Sequence, residues 1–276
     1  MESRGAKILI RAATLFTLAF LYVPLAIVFV YAFNPSRGQI WPPPGLTTRW
    51  FSLAWRNREV RTALLNSLKA GGGATLIALV LGSAAAFAVH RFRFFGREAV
   101  SFVLVLPIAL PGIVTGMALN SAINFGGDVF GLSFGLLTII LGHATFCVVV
   151  VYNNVVARLR RTPGSLVEAS MDLGADGWQT FRYVTLPALS TALVAGGLLA
   201  FALSFDEIIV TLFVSGTEDT LPKWIFNNLR LPRARPVVNV VAMAVIVLSL
   251  VPVYLAQRLS RETGGVLPAG ARERTT

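Results

Sequence analysis

The chain has 276 residues, of which 55% are hydrophobic and only 13% charged, and its 24 basic and 13 acidic residues give a net charge of +11. An ordinary soluble domain carries about 25% charged residues, so this composition argues against a water-soluble core and for a bundle of membrane helices. The basic excess does not indicate nucleic acid, because Lys and Arg fall between apolar blocks, where lipid headgroups attract them, and no aromatic-interleaved basic face occurs.

The first apolar block, 8–33, follows Arg4 and Lys7 and ends in Tyr31-Ala32-Phe33-Asn34-Pro35. It is longer than the roughly 7–15 residues of a secretory h-region and has no small-residue cleavage site, so it is expected to be a retained first helix. Five more spans are expected at 64–89, 99–124, 132–153, 185–214 and 237–258. Each is near the ~20 residues that cross ~30 Å of hydrocarbon. Six spans place both termini on one side, which then carries 14 Lys and Arg against nine on the other. The positive-inside rule makes the termini cytoplasmic.

In the first outer loop, Trp41-Pro42-Pro43-Pro44-Gly45 cannot be helical, and the stretch 48–62 mixes Trp50, Phe51, Trp55 and Val60 with arginines. A short amphipathic helix on the outer surface, its tryptophans at headgroup level, is the expectation. Two spans carry small residues at every fourth position: Ala70, Ala74, Ala78, Gly82 and Ala86 in the second, and Ala188, Ala192, Gly196, Ala200 and Ser204 in the fifth. Such ridges let membrane helices approach closely; they mark contact with each other or with a partner, or tight packing alone.

In the third span, Pro107 and Pro111 each remove a helical hydrogen bond, so a kink is expected there, either lining a pathway or bending the helix structurally. In the fourth, His143 is read as a hydrogen-bonded packing residue, and Cys147, the single cysteine, as a small buried side chain. One cysteine excludes an intramolecular disulfide and a thiolate metal cluster. The tail 262–276, with Gly264-Gly265 and Pro268-Ala269-Gly270, is expected to be disordered, which leaves 1–261 as one membrane domain.

The long polar stretch between the fourth and fifth spans lies on the expected cytoplasmic side. Thr162-Pro163 is a helix-start signal, after which Leu166, Ala169, Ser170 and Leu173 can share one face while Glu168 and Asp172 share another. Gly174 and Gly177 then punctuate the chain, and Trp178, Phe181 and Arg182 begin a second short helix running into Pro187. Read as Glu168-Ala169-Ser170, three residues, Gly174, nine residues, then Val184-Thr185-Leu186-Pro187, the segment closely resembles the EAA signature of permease subunits in binding-protein-dependent ABC importers. Ser170 stands for the second Ala and Val184 for Ile.

That resemblance implies an all-α integral membrane fold of the six-helix type I importer kind, with a cytoplasmic pair of coupling helices over 162–184. It assigns ATPase coupling to Glu168, Ala169, Leu173, Gly174, Trp178, Leu186 and Pro187. It also implies a non-catalytic subunit in the bacterial inner membrane, partnered by a dimer of ATP-binding subunits, a second homologous permease and an extracytoplasmic binding protein. No Gly-x-x-x-x-Gly-Lys-Ser/Thr loop occurs in the chain, so ATP and its magnesium belong to the partner ATPases, and no cofactor or metal is expected here. A secondary carrier, the alternative from another class, would show a mid-membrane ion-coupling site and inverted repeats, neither of which is evident.

Leu65-Asn66-Ser67-Leu68, Pro107 to Gly116, Ala202 to Val210 and Thr220-Leu221-Pro222 extend the likeness to permeases of the spermidine/putrescine type, particularly the second permease of that pair. The resemblance implies a polyamine as cargo, with iron, thiamine, phosphonate, sulfate or sugar as alternatives. Asp206 and Glu207 have physical weight of their own, since an ionisable residue at mid-bilayer costs at least ~2.5–3.5 kcal/mol and usually faces a cavity or a partner. Carboxylates at a narrow opening attract a polycation, and Phe205 and Phe213 would hold its methylene spacers. The competing reading is that the two acids cap a helix or pair with Arg230, Arg233 or the other permease.

Overall fold

The structure is a computed structural model and describes residues 4–262, so the tail expectation lies outside the described residues. The described residues are all helix and connecting loop, in two compact units formed by the described parts of Met1–Thr62 with Leu221–Val247 and of Ala63–Thr220 with Leu248–Thr276.

In the first unit, helix α1 (Arg4–Ala32) buries none of its apolar window. The loop after it folds on Asn34, whose Nδ2 donates to the Ile40 carbonyl at 3.0 Å and whose Oδ1 accepts from the Ser36 amide at 2.9 Å. The Asn34 carbonyl accepts from the Trp50 indole at 2.8 Å. Helix α2 (Arg49–Arg56) is therefore not simply a surface helix with its tryptophans at headgroup level. Trp50 is buried beneath the Arg49 guanidinium, 4.3 Å from its ring, and Trp55 alone of the pair is exposed. Helix α11 (Leu221–Asn228) contributes Trp224, whose indole donates to Glu59 at 3.1 Å.

The second unit is built around α6 (Leu136–Arg161), which carries much of the buried apolar core. It is longer than the expected 132–153 span, its last two turns extending through the arginines. Helix α9 (Leu186–Asp206) runs antiparallel to it in one steady register. Arg158 Nε donates to the Ala188 carbonyl at 2.9 Å, Cys147 Sγ to the Ala200 carbonyl at 3.3 Å, and His143 meets Ser204 at 2.8 Å. A methyl added at Gly196 would lie 3.3 Å from Asn154 Cβ. The small-residue ridge of α9 thus faces α6 along its length.

The other ridge, on α3 (Arg58–Arg91), also meets α6: a methyl at Gly82 would come within 2.8 Å of the Val148 carbonyl oxygen and 3.0 Å of Val151 Cβ. Both ridges converge on one central helix, and beside them α3 and α9 touch each other where Gly71 abuts Phe201 and Gly197 abuts Leu79. Small residues are needed because the backbones come close enough to exclude a Cβ.

Two expected spans are broken. The third is two helices, α4 (Arg97–Ala109) and α5 (Gly112–Phe130), bent by 105° across Leu110-Pro111. Leu110 is extended, as a residue before proline must tend to be. The fifth, expected at 185–214, ends at Asp206, and a separate short helix α10 (Ile209–Val214) follows. At its other end there is no stop before Pro187. The chain is helical without interruption over Gly177–Asp206. Helix α12 (Arg235–Glu262) is the last described helix, and with the bent pair taken as one span, six segments among the described residues are long and apolar enough to cross a bilayer.

Candidate coupling segment and broken-helix site

The segment carrying the Glu-Ala motif forms α7 (Ser165–Asp172) and α8 (Gly177–Thr180). Gly174 has φ 87°, a left-handed conformation that glycine adopts without steric cost. There the Ala175 amide donates to the Ser170 carbonyl and the Gly174 amide to that of Met171, which closes the end of α7. Asp176 opens α8 with a reciprocal cap: its carboxylate accepts from the Gln179 amide at 2.8 Å, and its own amide donates to Gln179 Oε1 at 2.9 Å. A 2.9 Å hydrogen bond between the Ser170 and Thr180 hydroxyls holds the two helices together.

The angle between α7 and α8 is therefore fixed by turn chemistry, while the outer face is left bare. Leu173 is 90% exposed and Trp178 70%, and Glu168, Ala169 and Met171 are also exposed. Trp178 leans on Phe181 at 5.7 Å, and Phe181 meets Phe87 of α3 edge-on at 5.5 Å. A cavity of about 530 Å³ lies beside the segment, lined by His90, Arg91, Thr162, Glu168, Thr180, Thr185 and apolar residues.

Between α8 and α9 the helix widens into a π turn over Phe181–Thr185, in which the Leu186 amide donates to the Phe181 carbonyl. Leu186 and Pro187 are the first residues of α9. Proline has no N–H to give to the preceding turn, and the wider turn accommodates that loss without a break. Helix α8, the π turn and α9 thus form one continuous helical rod, so the expected short helix does run into Pro187 and on into the span.

At the other end of α9, Asp206 is exposed and Glu207 is extended. Glu207 serves as a cap: its Oε1 accepts from the Val210 amide at 2.9 Å, and its carbonyl accepts from the Thr211 hydroxyl at 2.9 Å. Phe205 is 2% exposed and stacks on Phe201, with ring centroids 5.9 Å apart. Phe213 packs on α5, where a methyl at Gly116 would lie 2.5 Å from its ring. Gly112 similarly abuts Ile209, so the two broken spans meet directly behind their breaks.

Three polar side chains from α5 and α6 tie down α10. Asn120 of α5 donates to the Phe213 carbonyl at 2.6 Å and Thr138 of α6 to the Val214 carbonyl at 2.7 Å, while His143 bonds Thr211 at 2.9 Å. Further on, Asn66 donates to Glu218 at 2.7 Å and to the Asp219 carbonyl at 3.0 Å. Irregular backbone at membrane depth is stable only when its polar groups are met in this way. Asn120, Thr138 and His143 escaped the sequence reading as a set because Asn120 lies on α5 and the other two on α6, and only the fold brings them together on α10.

Residues 78–264 match the family model described as the binding-protein-dependent transport system inner membrane component. The chain belongs to that family. It is 34% identical to the putrescine transport system permease protein PotI of Escherichia coli over 88% of this chain and 89% of that protein. It is 35% identical to the spermidine/putrescine transport system permease protein PotC of Escherichia coli, covering 88% and 90% of the two chains. The PotC of Haemophilus influenzae is 33% identical over 93% and 98%.

In fold, the chain resembles a bacterial ABC transporter involved in alginate import, with TM-score 0.69, 15% identity and coverage of 93% and 94%. The MetNI methionine ABC transporter is a second likeness, with TM-score 0.59, 20% identity and coverage of 79% and 99%. The chain is accordingly a multi-pass, non-catalytic permease subunit of an ABC importer with the type I fold, and its family works with an ATPase and a substrate-binding protein.

Proposed function

We propose that this permease carries polyamines, spermidine or putrescine, across the bacterial inner membrane, with both termini cytoplasmic. In this reading it stands once in the complex, beside a second homologous permease, two ATPase copies that use ATP and magnesium, and an extracytoplasmic binding protein. The cargo assignment rests on the polyamine permeases that cover nine-tenths of the chain. The coupling role rests on one observation: the Glu168–Trp178 segment is rigid in itself and bare on its outside, with large apolar side chains in water beside a carboxylate. Exposed apolar surface rimmed by charge is what a partner protein covers.

In this assignment Glu168 pairs with a basic residue of the ATPase while Ala169, Leu173 and Trp178 fill its groove. Gly174 holds the bend, and Leu186 and Pro187 pass the motion into α9. A rotation of the ATPase then moves α9 as a lever, because no flexible joint intervenes between Gly177 and Asp206. Asp206 faces the pathway as the attracting carboxylate. Glu207 shapes the break through its cap, and Phe205 and Phe213 support the acids from the apolar side rather than touching cargo in this conformation.

The decisive experiment is ATP hydrolysis and uptake by the chain reconstituted with its genomic neighbours, offering spermidine, putrescine, ferric ion and a neutral sugar in parallel. Polyamine stimulation supports the reading, and stimulation by another solute alone overturns the cargo while keeping the permease. In the same assay Asp206→Asn is expected to lower polyamine uptake by on the order of tenfold, the scale of one lost charge-assisted contact. Unchanged uptake would make Asp206 scaffolding.

A further inference from the structure

The network around His143 has a direction that can be worked out from its atoms. The Glu207 carbonyl can only accept, so the Thr211 hydroxyl must donate its proton there, at 2.9 Å. Thr211 Oγ1 is then an acceptor toward His143 Nε2, 2.9 Å away, and Nε2 must carry a proton. In the tautomer protonated on Nε2, Nδ1 accepts from the Ser204 hydroxyl at 2.8 Å. One imidazole therefore joins α6 to the last turn of α9 and to α10, on either side of the Asp206–Ile208 break. His143 is fully buried, and Ser204 and Thr211 are buried with it.

We propose that His143 is the positioning residue of the cargo pathway: it fixes the α9–α10 break and thereby sets where Asp206 projects, without touching cargo itself. This deepens the reading of Asp206 given above and rests on it. Two adjacent carboxylates on an unsupported break would sample many directions, because a six-residue helix is too short to hold itself. Asn120 and Thr138 anchor only the carbonyl end of α10. The amino end, next to the acids, is held by Glu207 itself and by the histidine link. A ring with a donor on one side and an acceptor on the other is suited to bridging two hydroxyls on separate helices, a task that no aliphatic or singly functional side chain performs.

The test uses the reconstituted complex. Thr211→Val keeps shape and removes the hydroxyl, while Thr211→Ser keeps the hydroxyl. With Cys147→Ser as background, the thiol introduced by Asp206→Cys is labelled with a cationic thiol reagent. Thr211→Val is expected to raise the labelling rate about fivefold, the scale of one network hydrogen bond, and Thr211→Ser to leave it unchanged. In chains that keep Asp206, Thr211→Val should raise the polyamine concentration for half-maximal uptake by a similar factor with the maximal rate retained. His143→Phe added to Thr211→Val should add little to the labelling rate, since the bridge to α10 is already cut and only the Ser204 bond within the α6–α9 contact remains to be lost.

An unchanged labelling rate in Thr211→Val, or equal changes in the Val and Ser variants, overturns the inference. If the wild-type complex takes up no polyamine, the cargo reading fails and the labelling result alone decides the role of His143.

Discussion

The coupling segment and the α10 knot are both short polar interruptions in an apolar chain, and they handle their polar groups in opposite ways. Around α10, the groups freed by the break are met from within: Asn120 and Thr138 take its last carbonyls, Glu207 takes an amide, and His143 and Ser204 close the circuit. Around α7 and α8 only the backbone ends are closed, by Gly174, Asp176 and the Ser170–Thr180 bond, and the large side chains point away. The difference follows from the surroundings. At hydrocarbon depth an unmet polar group costs several kcal/mol, so the chain must supply every partner itself. In water the backbone needs only enough bonding to hold a shape, and large apolar side chains such as Leu173 and Trp178 stay exposed.

Substitutions can break this contrast from either end. Glu168→Arg is expected to have the largest effect: ATP-coupled uptake in proteoliposomes should fall on the order of tenfold or more, while the membrane complex still folds, because reversing a charge at an interface places like charges together. Wild-type uptake by that variant would remove the docking role. On the buried side, Gly82→Ala pushes a methyl to within 2.8 Å of the Val148 carbonyl, a backbone atom that cannot swing aside. The expected loss is about 1–3 kcal/mol of stability, read as a lower melting temperature of the detergent-solubilised protein. An unchanged melting temperature would mean that α3 and α6 slide apart easily.

The smallest effect on stability sharpens the comparison furthest. Leu173→Ser should change the stability of the isolated chain by less than about 0.5 kcal/mol, since its side chain lies almost wholly in water. It should nonetheless weaken capture of the ATPase subunit in a pull-down of the membrane-embedded permease. Retained capture would locate the docking energy elsewhere on the segment.

Much of this was legible in the chain itself. Apolar block length gave the helices, since ~20 apolar residues have few other stable fates, and the Glu168-to-Pro187 spacing pointed to the family. The periodic small residues gave two close-packing ridges. Local signals misled where a distant partner overrides them. Trp50 has the look of a surface anchor, but Asn34, sixteen residues earlier, draws its indole inward.

The sequence by itself determined a membrane permease and its family, because these depend on composition, segment length and contiguous spacing. Tertiary structure alone decided that both ridges converge on α6, that the fifth span breaks at Asp206, and that His143 bridges the break. Those facts depend on hydrogen bonds and close contacts between residues some sixty positions apart, such as His143 with Ser204 and Thr211, and nothing in the local pattern around any one of them encodes which partner it meets.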